Sequence, residues 1–134
     1  MQEVVEQELK LAREKLESAE LLFKNGKLAD AVGRAYYGMF HAGKALLRIY
    51  AKEPKTHEGF ISEFGLTFIK SGLMDRKFGR MLRETEEARE SADYKVFAVF
   101  GSNEVRNIIK NANLFIRESE SLAKKLVKGE KFRK

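Results

Sequence analysis

The segment from residue 28 to 50 carries a polar, cationic and aromatic face suited to binding an anion. Its members fall at i, i+3, i+7, i+10 and i+14, which is one face of an α-helix. They are Arg34, Tyr37, His41, Lys44 and Arg48. An arginine can fork onto a phosphate and a tyrosine can stack on a base, so the face indicates phosphate or base recognition. The structural alternative is that Tyr37 and His41 are packing residues and Arg34 pairs with Asp30.

Two later segments carry further candidates. Lys55 and His57 flank Thr56, where exposed N–H groups at the start of a helix would favour an anion. The alternative is that Thr56 is an ordinary cap and His57 a surface residue.

Arg89, Asp93 and Tyr94 close a later helix. An Arg and an Asp at i, i+4 can form a simple ion pair that ends the helix. A functional role requires this group to converge on the face that contains Arg34.

Other kinds of chemistry are disfavoured. The chain has no cysteine, and its only histidines are His41 and His57, on separate predicted helices. It lacks an HExxH motif, a glycine-rich phosphate loop and a serine-hydrolase elbow. We therefore expect no metal site and no cofactor.

Composition predicts one helical domain with anionic partners. The chain has 134 residues, 34% of them charged, and a formal net charge of +6, which favours polyanions such as nucleic acid. We assign residues 1–128 to the domain and 129–134 to a basic C-terminal tail. No signal peptide or membrane span is evident, so we expect a cytoplasmic protein with no membrane partner.

Apolar periodicity predicts an all-α fold, an up-and-down antiparallel bundle of four main helices plus a shorter one. Asn25-Gly26 and Ser71-Gly72 are predicted helix ends, and Thr56 and Asp75 are predicted caps. Small residues at helical spacing along the second helix form a ridge for close packing. They are Ala31, Ala35, Gly38, Ala42 and Ala45.

The fourth helix and the segment after it have a less regular pattern. On that helix, Phe78, Met81, Leu82 and Ala88 are predicted inside, and Arg83, Glu84, Glu86 and Glu87 outside. Residues 96–100 could pass for a strand. Because a lone strand has no partner, we interpret them as an ordered connection packed by its aromatic residues.

Three segments together resemble the HEPN family of small helical domains. They are ADAVGRAYYGMFHAGKALL, KTHEGF and ARESADY, in the family's order and spacing. The resemblance implies a helical bundle, homodimerisation, association with nucleotide or RNA, and pairing with a minimal nucleotidyltransferase in a toxin–antitoxin-like module. Carried over residue by residue, it points to the following positions as the binding site: Arg34, Tyr37, His41, Lys55, His57, Arg89, Asp93 and Tyr94.

The chain departs from the family's ribonuclease motif, in which a histidine follows an arginine by four to six residues. No histidine follows Arg89 at that distance, and Arg106 is followed by Asn111, which cannot transfer a proton near neutral pH. The leading hypothesis is therefore a non-catalytic binding protein, with the catalytic residues unknown. One alternative is a metal-independent ribonuclease that uses His41 or His57. Another is a structural module whose small-residue ridge forms a homodimer.

Overall fold

The computed structural model describes the backbone of residues 2–132 and the side chains of residues 2–129. In that part of the chain the secondary structure is entirely helical, which confirms the predicted all-α bundle of four long helices and a shorter one. The elements are α1 (Glu3–Lys24), α2 (Leu28–Ile49), α3 (His57–Phe64) with a π-helical turn after it (Gly65–Ile69), α4 (Arg76–Tyr94) and α5 (Ser102–Phe132).

The predicted turn residues end or begin the helices where expected. Gly26 and Gly72 have positive φ angles of 75° and 85°, a backbone region that glycine adopts without steric cost. Thr56 accepts a hydrogen bond from the backbone N–H of Gly59, and Asp75 accepts one from that of Lys77. These caps begin α3 and α4 and so determine where the functional residues of both helices start.

Helix α2 lies at the centre and packs against α1, α4 and α5. Its small-residue ridge is fully buried. A Cβ atom on Gly38 would lie 3.2 Å from the carbonyl oxygen of Ala12 and 3.2 Å from Cδ1 of Ile116. Because α1 and α5 of the same chain cover the ridge, the hypothesis that this ridge forms a homodimer is wrong.

Aromatic packing places α3 against α2. Phe60, Phe64 and Phe68 are buried and in contact one after another along the helix. Gly43 of α2 faces Phe60 so closely that a Cβ atom there would lie 2.5 Å from Cζ of the ring. This contact fixes the distance between α2 and α3, and hence the position of His57.

The connection between α4 and α5 differs from the prediction. Its aromatic residues were expected to pack it, yet Phe97 is 92% exposed, as is its neighbour Val96. Of its aromatic residues, only Phe100 is partly buried, against Ala31 and Val32. The prediction of an aromatic-packed connection is therefore wrong for Phe97, because the small apolar cluster at this end of the bundle already packs Phe23 and Phe100.

Helix α5 continues through Phe132, past the predicted domain end at residue 128. The rest of the basic tail, residues 133–134 and the side chains after residue 129, lies outside the described residues. Within the described part, none of the helices is both long enough and apolar enough to cross a membrane.

Candidate functional site

Six side chains from α2, α3 and α4 meet near one surface of the bundle, and we call them the His57 cluster. They are Tyr36, Tyr37, His57, Glu86, Arg89 and Asp93. Three of the sequence-predicted segments therefore converge, as the functional interpretation required. The cluster is half buried: the His57 side chain is 36% exposed, while those of Glu86 and Arg89 are each 7% exposed.

Arg89 is held rigidly between two carboxylates and two rings. Its Nε donates to Oε1 of Glu86, and its Nη1 donates to Oδ2 of Asp93 at 2.7 Å. The guanidinium lies 5.3 Å from the centroid of the Tyr36 ring and 5.9 Å from that of Tyr37. The hydrogen bond to Glu86 is the main cause of a raised pKa of Arg89, so the cation stays charged.

Glu86 was predicted to face outward, and that prediction is wrong. The residue is 5% exposed, because its carboxylate pairs with Arg89 one turn later. Its second oxygen, Oε2, is buried without a hydrogen-bond partner among the described residues and lies 3.8 Å from Nδ1 of His57. A buried carboxylate oxygen without a partner is costly, and this one lies beside the partly exposed imidazole of His57.

Tyr36 links the core to His57. Its ring is fully buried, and its hydroxyl lies 2.8 Å from Nδ1 of His57. Burial, followed by the nearby carboxylate of Glu86, raises the pKa of Tyr36, so the phenol stays protonated. If the phenol donates to Nδ1, the imidazole carries its own proton on Nε2.

Tyr37 and Arg34 extend the site along α2. Together with Asp93 they line a shallow depression of about 470 Å³. The alternative pairing of Arg34 with Asp30 does not form, since neither residue takes part in an ion pair within 4 Å in the described part of the chain. Arg34 is exposed, so its guanidinium can reach a ligand held by the His57 cluster.

His41 lies apart, in what we call the Glu8 cluster: Glu8, His41, Lys44 and Arg48. Its Nδ1 lies 2.9 Å from Oε1 of Glu8. The other Glu8 oxygen is 3.5 Å from Nζ of Lys44 and 3.4 Å from Nε of Arg48. Burial lowers the pKa of His41, and the hydrogen bond to Glu8 opposes this effect. The predicted face of α2 therefore divides: Tyr37 belongs to the His57 cluster, Arg34 lies beside it, and the other three members belong to the Glu8 cluster.

Two other sequence-predicted residues are exposed and lie outside the His57 cluster. Lys55 lines a separate small depression with Lys44 and Lys52, and Tyr94 is 78% exposed at the end of α4. Neither has a hydrogen bond or ion pair with the His57 cluster in the described residues.

Sequence reasoning missed Tyr36 and Glu86. A usable signal existed for Glu86, which follows the buried residues Phe78 and Leu82 at i+8 and i+4 and so lies on the buried face of α4. Tyr36 lies next to the small-residue ridge in helical spacing, and nothing in that spacing indicates that its hydroxyl reaches an imidazole.

The family model of the HEPN domain matches residues 5–122 of this chain. The chain belongs to the HEPN family. This match confirms the resemblance found in the sequence. The described side chains form no group of three or more histidines, cysteines or acids able to hold a metal ion.

Several curated proteins are similar to this HEPN chain. A Methanocaldococcus jannaschii protein named "Putative toxin MJ0605" is 34% identical over 95% of this chain and 94% of its own length. A "UPF0332 protein" of Thermotoga maritima is 31% identical over 93% of this chain and 95% of its own. "UPF0332 protein PH1297" of Pyrococcus horikoshii is 49% identical over 60% of this chain, and the match spans 56% of that protein.

Proposed function

We propose that this HEPN protein binds single-stranded RNA at the His57 cluster, as the toxin-like member of a two-component module. The observation that carries the proposal is the convergence of His57, Arg89 and Tyr37 from three helices in one half-buried cluster. The guanidinium of Arg89, the hydrogen-bonding groups and the aromatic rings are features that RNA recognition uses, and the exposed Arg34 beside them adds a second cation.

Each group has a distinct part in binding. Arg89 directs Nε and Nη1 to the two carboxylates, while its Nη2 donates to none of the described residues. That nitrogen can donate to a phosphate. Tyr37 offers a partly exposed ring for a base, with the His57 ring 5.8 Å away, and the exposed Arg34 can bind the next phosphate.

The two-component assignment is supported by the relatives. Two Methanocaldococcus jannaschii relatives bear the name "Putative toxin", and the family resemblance supplies the expected partner, a minimal nucleotidyltransferase, and the expected homodimer. In this proposal the partner controls access to RNA, and the protein acts inside the cell.

The test compares two histidine variants by fluorescence anisotropy with a labelled single-stranded RNA of mixed sequence. His57→Ala is expected to weaken binding about tenfold, the cost of losing one stacked or hydrogen-bonded contact. His41→Ala is the matched control, and it should bind like the wild type because Glu8 holds its imidazole away from the site. Binding should weaken steeply with added salt.

The contrary outcomes are equally specific. If His57→Ala binds RNA as tightly as the wild type, or if His41→Ala weakens binding by the same factor, the His57 cluster is not the RNA site. Binding that does not depend on salt would exclude phosphate recognition.

One observation favours ribonuclease activity as a second candidate function. The sequence lacks a histidine after Arg89, yet the fold brings His57 of α3 beside Glu86 and Arg89 of α4. An imidazole there is suited to general acid–base catalysis at a ribose hydroxyl. Cleavage of mixed RNA in EDTA that His57→Ala abolishes and His41→Ala retains would establish it, and intact RNA with the wild-type protein would rule it out.

A further inference from the structure

A second surface lies between the first half of α4 and the segment formed by α3 and the π-helical turn after it. The two run side by side, so that His57 lies near Glu86 at one end and Ile69 faces Gly79 at the other. Between Ile69 and His57 they enclose a groove of about 930 Å³. Its floor is aliphatic and includes Ile61 and Leu66, and Leu66 is 57% exposed.

Cations outnumber acids among the residues that line this groove. Residues 76–83 of α4 contain four cations and no acid. These four residues all line the groove, and they are Arg76, Lys77, Arg80 and Arg83. Among the described residues their only ion pair is the exposed one between Arg80 and Glu84, at 3.7 Å.

Only part of this positive charge is balanced in the described chain. The first turn of α4 carries Arg76 and Lys77 without an acid of its own, and the cap Asp75 supplies a carboxylate at the positive end of the helix dipole. A ligand with further carboxylates would pair with the cations that Asp75 and Glu84 leave unpaired.

We propose that the groove binds an acidic amphipathic helix of a protein partner. Apolar side chains of the helix would cover Leu66 and Ile69, and its carboxylates would pair with Arg76, Arg80 and Arg83. Helices bind such grooves through apolar residues at i, i+3, i+4 and i+7. None of the six residues of the His57 cluster is among the residues that line the groove, so this surface is distinct from the proposed RNA site.

The groove is less suited to RNA. Single-stranded RNA needs exposed aromatic rings for stacking, and the one aromatic residue that lines the groove, Phe64, is fully buried. The acids on its edge, Asp75, Glu84 and Glu87, would repel a continuous row of phosphates. In contrast, they can pair with the occasional lysine of an amphipathic helix.

The probe is a synthetic labelled peptide of about 18 residues, long enough for five helical turns, with leucines on one face and glutamates on the other. Full-length protein is titrated by anisotropy, and its amide NMR shifts are recorded. The peptide should shift the amides of Leu66, Ile69 and Gly79. The triple variant R76E/R80E/R83E should weaken peptide binding at least about tenfold.

The matched control is K110E/R117E/K124E, which makes the same change in charge at three exposed positions of α5. It should keep the peptide affinity of the wild type within about twofold. Thermal unfolding of both triple variants verifies that they are folded. Because both triples alter net charge equally, any loss of RNA binding that is common to them reports on charge and not on the groove.

Three outcomes would overturn the proposal. A scrambled peptide of the same composition that binds equally well would show that charge alone is recognised. Amide shifts on α5, or none, would exclude the groove. Single-stranded RNA that shifts Leu66, Ile69 and Gly79 more than the peptide does would make the groove a nucleic-acid surface. None of these results depends on His57, so this proposal and the proposed function fail separately.

Discussion

The Glu8 cluster and the His57 cluster are built from the same kinds of residue, yet they differ in how many of their polar groups have partners within the fold. Each places an imidazole within 4 Å of a nearly buried glutamate that also meets an arginine. In the Glu8 cluster one carboxylate faces His41, Lys44 and Arg48, and both of its oxygens lie near a partner. The charged groups of the Glu8 cluster therefore all have partners within the fold.

In the His57 cluster the carboxylates outnumber the arginines. Two carboxylates, Glu86 and Asp93, share the single guanidinium of Arg89, and Oε2 of Glu86 has no hydrogen-bond partner in the described chain. His57 turns its Nδ1 to the hydroxyl of Tyr36. The difference teaches that a satisfied cluster stabilises the fold, whereas one with unused capacity is the better candidate for binding a ligand.

The two clusters should differ most in the stability that is lost when the arginine of each is replaced by alanine. Arg89→Ala leaves a buried carboxylate without its cation, and we expect it to lower the free energy of unfolding by about 3–5 kcal/mol. Arg48→Ala should cost only about 0–1 kcal/mol, because Arg48 is one-third exposed and Glu8 keeps His41 and Lys44. Urea unfolding measures both values, and equal losses would mean that the clusters do not differ in this way.

Substitution of Gly43, which lies at the contact between α2 and α3, tests whether packing positions the His57 cluster. In Gly43→Ala the new Cβ would overlap the ring of Phe60, and moving that ring displaces α3. We expect a loss of about 1–3 kcal/mol in stability and weaker RNA binding.

The control for this substitution is Gly129→Ala on α5. A Cβ atom added to Gly129 would have no other atom within 4 Å outside its own helix backbone. This variant should therefore gain up to about 1 kcal/mol from helix propensity and bind RNA unchanged. RNA affinity that falls equally in both variants would contradict a role for the contact between Gly43 and Phe60.

The sequence predicted the fold more fully than the site, for physical reasons. Helix ends follow from local chemistry, so Gly26, Thr56 and Asp75 could be assigned from their neighbours alone. The ridge on α2 follows from one helix's periodicity. Its burial depends on which helices cover it, and periodicity does not contain that information.

The site required contacts between distant segments. His41 and Tyr37 lie on one face of α2, and only the positions of α1 and α4 decide that the first meets Glu8 and the second meets Arg89. The i, i+4 pair of Arg89 and Asp93 was predictable because it is local. The approach of His57 to Glu86 joins residues of two different helices, many positions apart in the sequence, and has no local signature.

A moderate effect on stability is expected from neutralising Glu8, whose two carboxylate oxygens both have partners. Glu8→Gln keeps the size of the side chain but loses charge-assisted bonds to His41 and Arg48, at a cost of about 1–2 kcal/mol. RNA affinity should remain within about twofold of the wild type, since the Glu8 cluster is separate from the proposed site. Urea unfolding and anisotropy on one sample test both parts, and a large loss of RNA binding would show that the two clusters are coupled.

The smallest effect is a pH dependence that comes from His41. Its pKa is lowered by burial, against the opposing effect of Glu8 and together with Lys44 and Lys15. The folded protein therefore binds this proton less tightly than the unfolded chain does, whose histidine pKa is about 6.5.

It follows that the contribution of His41 to stability is complete above the unfolded pKa and is lost as the pH falls toward the folded pKa. Urea unfolding between about pH 7.5 and pH 5.5 covers this range. His41→Gln should flatten the fall in stability, whereas His57→Gln should not remove the His41 contribution. An identical decline in the wild type and in His41→Gln would show that burial of this imidazole does not control the pH response, and that the Glu8 carboxylate balances it completely.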